Sequence, residues 1–425
     1  MIQETEYKKR RDNLSKRLKK DSLCILFSAD YKVRSNDTEF PFRQNSNFYY
    51  MSGFKEDKSC LVLIKKAKKT KSVLFVAKKD KVQELWNGKR LGAQKAKEQF
   101  MVDEVYEYDE FNRYLKNYIE STRELYYDFA LDYSKVKLLK RYAKGVASFQ
   151  NVALLIQKSR LIKSNAEVAT IKKALSITKQ AHHRAMSKSK SVAYEYELQA
   201  EIEYIFKRNG AYSDAYTSIV ASGNNANTLH YISNDKKIDT NALILIDAGC
   251  EYEYYASDIT RTIPKSGRFT LAQKELYEMV LKVQLEIISM IKPGVKRSDL
   301  QKKAVKLLTK GMIELEILKS PLKKAIKKEL YKPYYPHGIG HWMGIDVHDE
   351  APYMTKKSKE IALKKGMVLT IEPGIYLPED DMKIPKKYRG IGIRIEDDIL
   401  VTKKGYENLS KGVAKSVEEI EQVSL

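Results

Sequence analysis

The amino-acid sequence predicts a two-domain protein of the α/β (α+β) class, and three observations lead there. Its 425 residues exceed what one ordinary hydrophobic core holds. The first ~150 residues alternate short apolar runs with helix-period segments, the pattern of stacked strands and helices. Ser164 followed by Glu167 then forms a capping signal that opens a long helix and marks a boundary. The expected division is residues 1–158 and residues 159–425.

The elements follow in order. SLCILFSA (22–29), SCLVLIKK (59–66) and KSVLFVAKK (71–79) read as buried strands. Residues 81–100 read as helix on both sides of a glycine break. In YEYELQAEIEYIFKRN (194–209), Leu198, Ile202, Ile205 and Phe206 share one helical face, and Lys207, Arg208 and Gly210 end it. Residues 241–263 read as a strand, a short connection and a returning strand. Residues 269–294 read as a helix closed by Pro293-Gly294, and residues 367–376 and 390–402 as strands. No internal repeat is legible.

Composition excludes several function classes. A formal charge of +23 would suit a nucleic-acid binder. The lysines, however, are spread through surface-like segments such as KKAKKTK (65–71) and PLKKAIKKELYK (321–332), without a phosphate-cradling loop. Together with 29 Tyr, they read as the codon bias of an AT-rich genome, so no specific nucleic-acid partner is expected. Cys24, Cys60 and Cys250 have no metal-finger spacing and suit reduced thiols in the cytoplasm. The N-terminal stretch has no apolar signal segment, and runs such as ALILI (242–246) are too short to span a bilayer. A soluble cytoplasmic protein without a membrane partner is expected.

The chemistry lies where strands end in acids. Asp247 follows ALILI, and Glu372 follows VLTI. In GIGIRIEDD (390–398), alternation puts Ile391, Ile393 and Ile395 on one face and Gly392, Arg394 and Glu396 on the other. A carboxylate beside a buried strand needs a cation, a hydrogen-bond network or a metal. Asp247 and Asp258 flank a hairpin and are expected side by side on paired strands. Gathered carboxylates repel unless cations neutralise them, and oxygen-rich ligation with one imidazole suits Mn²⁺, Fe²⁺ or Co²⁺. YPHGIGHWMGIDVHD (335–349) holds half of the six histidines. His337 and His341 have the spacing of a helical zinc pair, but Gly338 and Gly340 argue against a helix and no glutamate follows His337. A strand or loop running close to a ligand is expected instead. His182 and His183, on a helix, read as structural.

LHY (229–231), IDAG (246–249), SDITRT (257–262), HGIGHWMGIDVHD (337–349), EPGIY (372–376) and GIGIRIEDD (390–398) occur in the order and spacing of a known family. They resemble the pita-bread metallopeptidases, in the aminopeptidase P branch. FPFRQNSNFYYMSGF (40–54) and WNGKRLG (86–92) are similar to that branch's N-terminal segments. The resemblance implies a creatinase-like N-terminal α/β domain followed by a pita-bread catalytic domain. It implies hydrolysis of the bond between an N-terminal residue and a proline at the second position. Prolidase, restricted to dipeptides, and a non-catalytic peptide-binding module are the alternatives.

By motif position, the resemblance assigns two divalent ions, manganese first with cobalt or iron as alternatives, to Asp247, Asp258, His341, Glu372 and Glu396. Asp258 and Glu396 would bridge the ions, with Asp247 on one and His341 and Glu372 on the other. Glu372 would take the proton of the attacking water and pass it to the departing proline nitrogen. His230 would contact the substrate and stabilise the tetrahedral intermediate, His348 would bond the substrate near the scissile bond, and His337 would line the proline pocket. Arg394, Tyr376 and Asp37 would form a supporting network, with a plain counter-ion role as the alternative for Arg394. Trp86 would reach a neighbouring subunit's site in a dimer or tetramer, or else serve as a partly buried packing residue.

Overall fold

The computed structural model describes residues 2–424. The chain divides into one unit spanning Ile2–Ser159 and a second beginning at Arg160.

The first unit is built on a six-stranded sheet with spatial order Glu104–Glu107, Lys69–Val76, Cys60–Lys66, Ser22–Phe27, Glu124–Tyr127 and Ser148–Asn151. Ser22–Phe27 and Lys69–Val76 run antiparallel to Cys60–Lys66 between them, while the outer pairings are parallel. Ser22–Phe27 is buried along its whole length, which is why it reads as a continuous apolar run rather than an alternating one. Leu23, Ile25 and Phe27 pack with Phe111 and Leu115 of the helix Phe111–Ile119. The glycine break separates helices Lys81–Asn87 and Gly92–Gln99, as the sequence suggested. A short hairpin, Val33–Ser35 with Thr38–Glu39, carries Asp37 in its exposed turn.

In the second unit, Ser164 and Glu167 form the capping box that starts the helix Asn165–Lys188, and Thr270 and Gln273 form another at Leu271–Ser289. Helix Glu195–Arg208 buries Leu198, Ile202 and Phe206, and ends at Asn209 with Gly210 at φ +78°. These helices share one core with three-stranded sheets ordered Ile219–Ser222, Leu243–Asp247, Thr260–Pro264 and Val368–Ile371, Asp397–Val401, Tyr406–Asn408.

Two sequence readings need correction. Residues 241–263 are not a simple hairpin: the connection holds Cys250–Tyr252 and Tyr255–Ala256, which join Ser213–Asp214 in a separate sheet. Residues 367–376 and 390–402 are each two strands. The first breaks at Glu372-Pro373, where Pro373 has no N–H to give a ladder. The second breaks at Ile395-Glu396, where the Glu396 N–H bonds Thr260 O at 3.0 Å. The helix Arg297–Glu314 and the C-terminal helix Val417–Val423 had no sequence-level anticipation. Among the described residues no helix is long and apolar enough to cross a membrane.

Candidate active site

Asp247 closes the strand Leu243–Asp247, and Asp258 lies just before Thr260–Pro264. The expectation that they sit side by side on paired strands does not hold, since the register pairs Asp247 with Thr260. They meet instead through Tyr216, whose hydroxyl lies 2.6 Å from Asp247 Oδ1 and 2.6 Å from Asp258 Oδ1. One hydroxyl proton is thus shared between two carboxylates. Glu396 accepts from the Thr260 hydroxyl at 2.8 Å. Beneath, Ile393 and Ile395 point into the core, so alternation delivers Arg394 and Glu396 to the opposite face.

The glycine-broken segment is loop, not helix. Gly340 explains part of its composition: a Cβ there would sit 1.9 Å from Thr370 O. The close approach is therefore to the neighbouring strand rather than to a ligand, and it seats His341 beside that strand's acids. His341 Nδ1 donates to Trp342 O at 3.0 Å, since a carbonyl only accepts. That leaves Nε2 facing Asp258 Oδ2 at 3.3 Å and Glu372 Oε1 at 3.8 Å. The His348 ring stands edge-on to that of His341, centroids 4.1 Å apart.

A second network surrounds Arg394. Its Nη2 donates to Asp247 Oδ2 at 2.7 Å, its Nε to Thr260 Oγ1 at 3.2 Å and its Nη1 to the Tyr376 hydroxyl at 2.9 Å. His337 Nδ1 donates to Gly338 O at 2.8 Å, so its Nε2 accepts from the Tyr376 hydroxyl, also at 2.8 Å. Arg394 is thus more than a counter-ion: it ties Asp247 to the tyrosine that orients His337.

Asp247, Asp258, His341, Glu372, Glu396, Arg394, His230, His337 and His348 line one cavity of about 260 Å³. Ile219, Leu229, Ile232 and Val347 give it an apolar wall. Tyr376 is buried behind it. Asp37 and Trp86 belong to the first unit. Asp37 is exposed there, and Trp86 is 80% exposed, which excludes the partly buried packing role.

The electrostatics favour cations. Ligand atoms of Asp258, His341 and Glu396 lie within 4.8 Å of one another. Burial, then Asp258 and Glu372, hold Glu396 far above the usual carboxylate range, and burial raises Asp247 against the pull of Arg394. Burial, opposed by His341 and Arg394, pushes Glu372 up to about 7. For His341 burial works against the charge, but the hydrogen bond and charge of Asp258, with Glu372, prevail and raise it to about 9. Four buried carboxylates with one imidazole are short of positive charge, and hard oxygen donors at this spacing fit divalent ions. His337 behaves oppositely, lowered to about 4 by burial and Arg394, and is neutral.

Sequence reasoning passed over Tyr216, Thr260 and Asp398, whose Oδ2 accepts the Asp258 N–H at 3.0 Å. Asp398 stood in the GIGIRIEDD motif and was a visible candidate. Hydroxyl residues such as Tyr216 carry no periodic signal.

Residues 169–403 match metallopeptidase family M24, and residues 7–126 match the aminopeptidase P N-terminal domain. The chain belongs to metallopeptidase family M24, with the family's pita-bread domain following that N-terminal domain. It is 38% identical over 418 residues to the Xaa-Pro aminopeptidase of Haemophilus influenzae, covering 98% of this chain and 96% of that one. It is 39% identical over 435 residues to the Xaa-Pro aminopeptidase of Escherichia coli, covering 99% and 97%. The solved structure of E. coli aminopeptidase P with the inhibitor Pro-Leu superposes with a TM-score of 0.96 at 38% identity, covering 100% of this chain and 98% of that one.

Proposed function

We propose that this chain is a metal-dependent Xaa–Pro aminopeptidase, removing the N-terminal residue from peptides with proline in second place. The observation that carries the reading is the convergence of Asp247, Asp258, His341, Glu372 and Glu396 on one cavity with an apolar wall. The full-length similarity to proteins named Xaa-Pro aminopeptidase favours it over prolidase.

Asp247, Asp258, His341, Glu372 and Glu396 would hold two divalent ions, manganese first. Bound there, such ions neutralise the carboxylates, activate a water and polarise the scissile carbonyl. Glu372 accepts the attacking water's proton on its carboxylate and delivers it to the proline nitrogen as the bond breaks. His230, which lines the cavity, contacts the substrate and stabilises the tetrahedral intermediate, and His348 bonds the substrate near the scissile bond. Neutral His337, fixed by Tyr376 and Gly338, forms the wall that receives the proline ring. Arg394 favours the charged form of Asp247 against burial and holds the carboxylate in place through the 2.7 Å bond.

Exposed Val82, Leu85 and Trp86 on Lys81–Asn87 support a homo-oligomer, a dimer or tetramer. Three buried free thiols support the reducing cytoplasm. The test offers Xaa–Pro–Xaa, Xaa–Pro and Xaa–Ala–Xaa peptides to the manganese-loaded chain. Release of the first residue from Xaa–Pro–Xaa but not from Xaa–Ala–Xaa is expected; cleavage of the dipeptide alone refutes the specificity.

A further inference from the structure

We propose that Asp349, clamped by Arg160 and Lys163, is the positioning residue that aims the His341 and His348 imidazoles into the cavity. The three side chains are almost wholly buried, at 2%, 1% and 1% exposure for Arg160, Lys163 and Asp349. Asp349 Oδ1 accepts from Arg160 Nε at 3.1 Å and also from Nη2, while Oδ2 accepts from Lys163 Nζ at 3.0 Å. Arg160 Nη2 reaches Asp346 on the same loop as well. None of the three clamp residues lines the cavity, so any effect on chemistry passes through the loop.

The route from clamp to imidazole is short. The Asp349 N–H donates to Trp342 O at 2.8 Å, the same carbonyl that accepts His341 Nδ1 at 3.0 Å. Fixing that carbonyl fixes the tautomer of His341 and leaves Nε2 directed at Asp258. His348 immediately precedes Asp349, and its ring rests against His341. At the other end, Arg160 ends the helix Ala153–Arg160, and Lys163 is anchored where the helix Asn165–Lys188 begins, beside the Ser164–Glu167 capping box and through its own N–H to Gly366 O at 2.8 Å. The loop must lie against this anchor without a side chain between: a Cβ at Gly344 would sit 2.8 Å from both Asp349 Oδ2 and Lys163 Cε. Thus a rigid helix start transmits its position to two imidazoles.

The inference rests on His341 being a metal ligand, and the experiment separates the two. Asp349→Glu keeps every charge but lengthens the tether by a methylene. Lys163→Met combined with Asp349→Asn keeps the charges balanced, removes the Lys163 arm of the clamp and leaves Arg160 only a neutral acceptor. Both are measured for Mn²⁺ affinity by chelator competition, for Tm of the metal-free chain, and for kcat and KM on a Xaa–Pro–Xaa peptide. Positioning predicts a metal-free Tm near wild type, Mn²⁺ affinity weakened by about 10–100-fold, and kcat falling more than KM changes. Lys172→Met, which removes an exposed ion pair with Glu407, is the control that changes none of these. Unchanged Mn²⁺ affinity in either folded variant overturns the proposal, whatever the Tm. A wild-type chain that binds no Mn²⁺ overturns the metal-centre reading instead.

Discussion

In the ion-free site at neutral pH His341 carries its second proton, because Asp258 and Glu372 outweigh burial and hold it at about 9, while Glu372, pushed up by burial to about 7, is partly protonated. An entering ion has to displace both protons. Below about pH 7 Glu372 keeps its proton and below about 9 His341 does, so ion affinity falls as pH falls through this window and rises towards alkaline pH. Calorimetry in buffers of different ionisation heat should register proton release on Mn²⁺ binding. Glu372→Gln should remove the step near pH 7 and lower kcat by about 10²–10⁴-fold. A pH-independent Mn²⁺ affinity would contradict these assignments. The acids were legible in the sequence only together: one acid at the end of an apolar strand is ordinary, but several on different strands beside a glycine-flanked histidine are not. Tyr216 was not: its role comes from placing one hydroxyl between two carboxylates, which no local pattern encodes.

Strands set the site's geometry by where they stop. Glu372 and Glu396 stand where strands stop, at Glu372-Pro373 and Ile395-Glu396, and the loop is drawn in by Gly340 against Thr370. Gly340→Ala places a methyl 1.9 Å from Thr370 O, so the loop must shift. A loss of about 1–3 kcal/mol is expected, read as a lower C_m in urea, together with weaker Mn²⁺ binding because His341 moves with the loop. Unaltered stability and binding would show that the loop does not depend on this approach. Period-two alternation correctly sorted Ile393 and Ile395 from Arg394 and Glu396, since that ordering follows from the backbone alone. The break at Ile395-Glu396 escaped notice because it goes with a bond to another sheet, Glu396 N–H to Thr260 O, whereas the break at Pro373 was visible in the sequence.

Across the whole chain, two-domain organisation was readable from length and from the capping box at Ser164, both properties that act locally. The proposed association rests in the sequence only on an analogy at Trp86, since an exposed tryptophan looks like any other in sequence. With Leu85 82% and Trp86 80% exposed, Leu85→Lys combined with Trp86→Lys should shift the sedimentation coefficient to that of a single chain; an unchanged assembly would place the interface elsewhere. The +23 charge remains without a structural role. Five donors, set at or beside strand ends and on one loop, would hold the ions for peptide hydrolysis. The most direct measurement is the initial rate on a Xaa–Pro–Xaa peptide as the chelated chain is titrated with Mn²⁺. We predict no turnover without ions and a rise that levels off at two equivalents per chain; full activity in the metal-free chain would contradict the account.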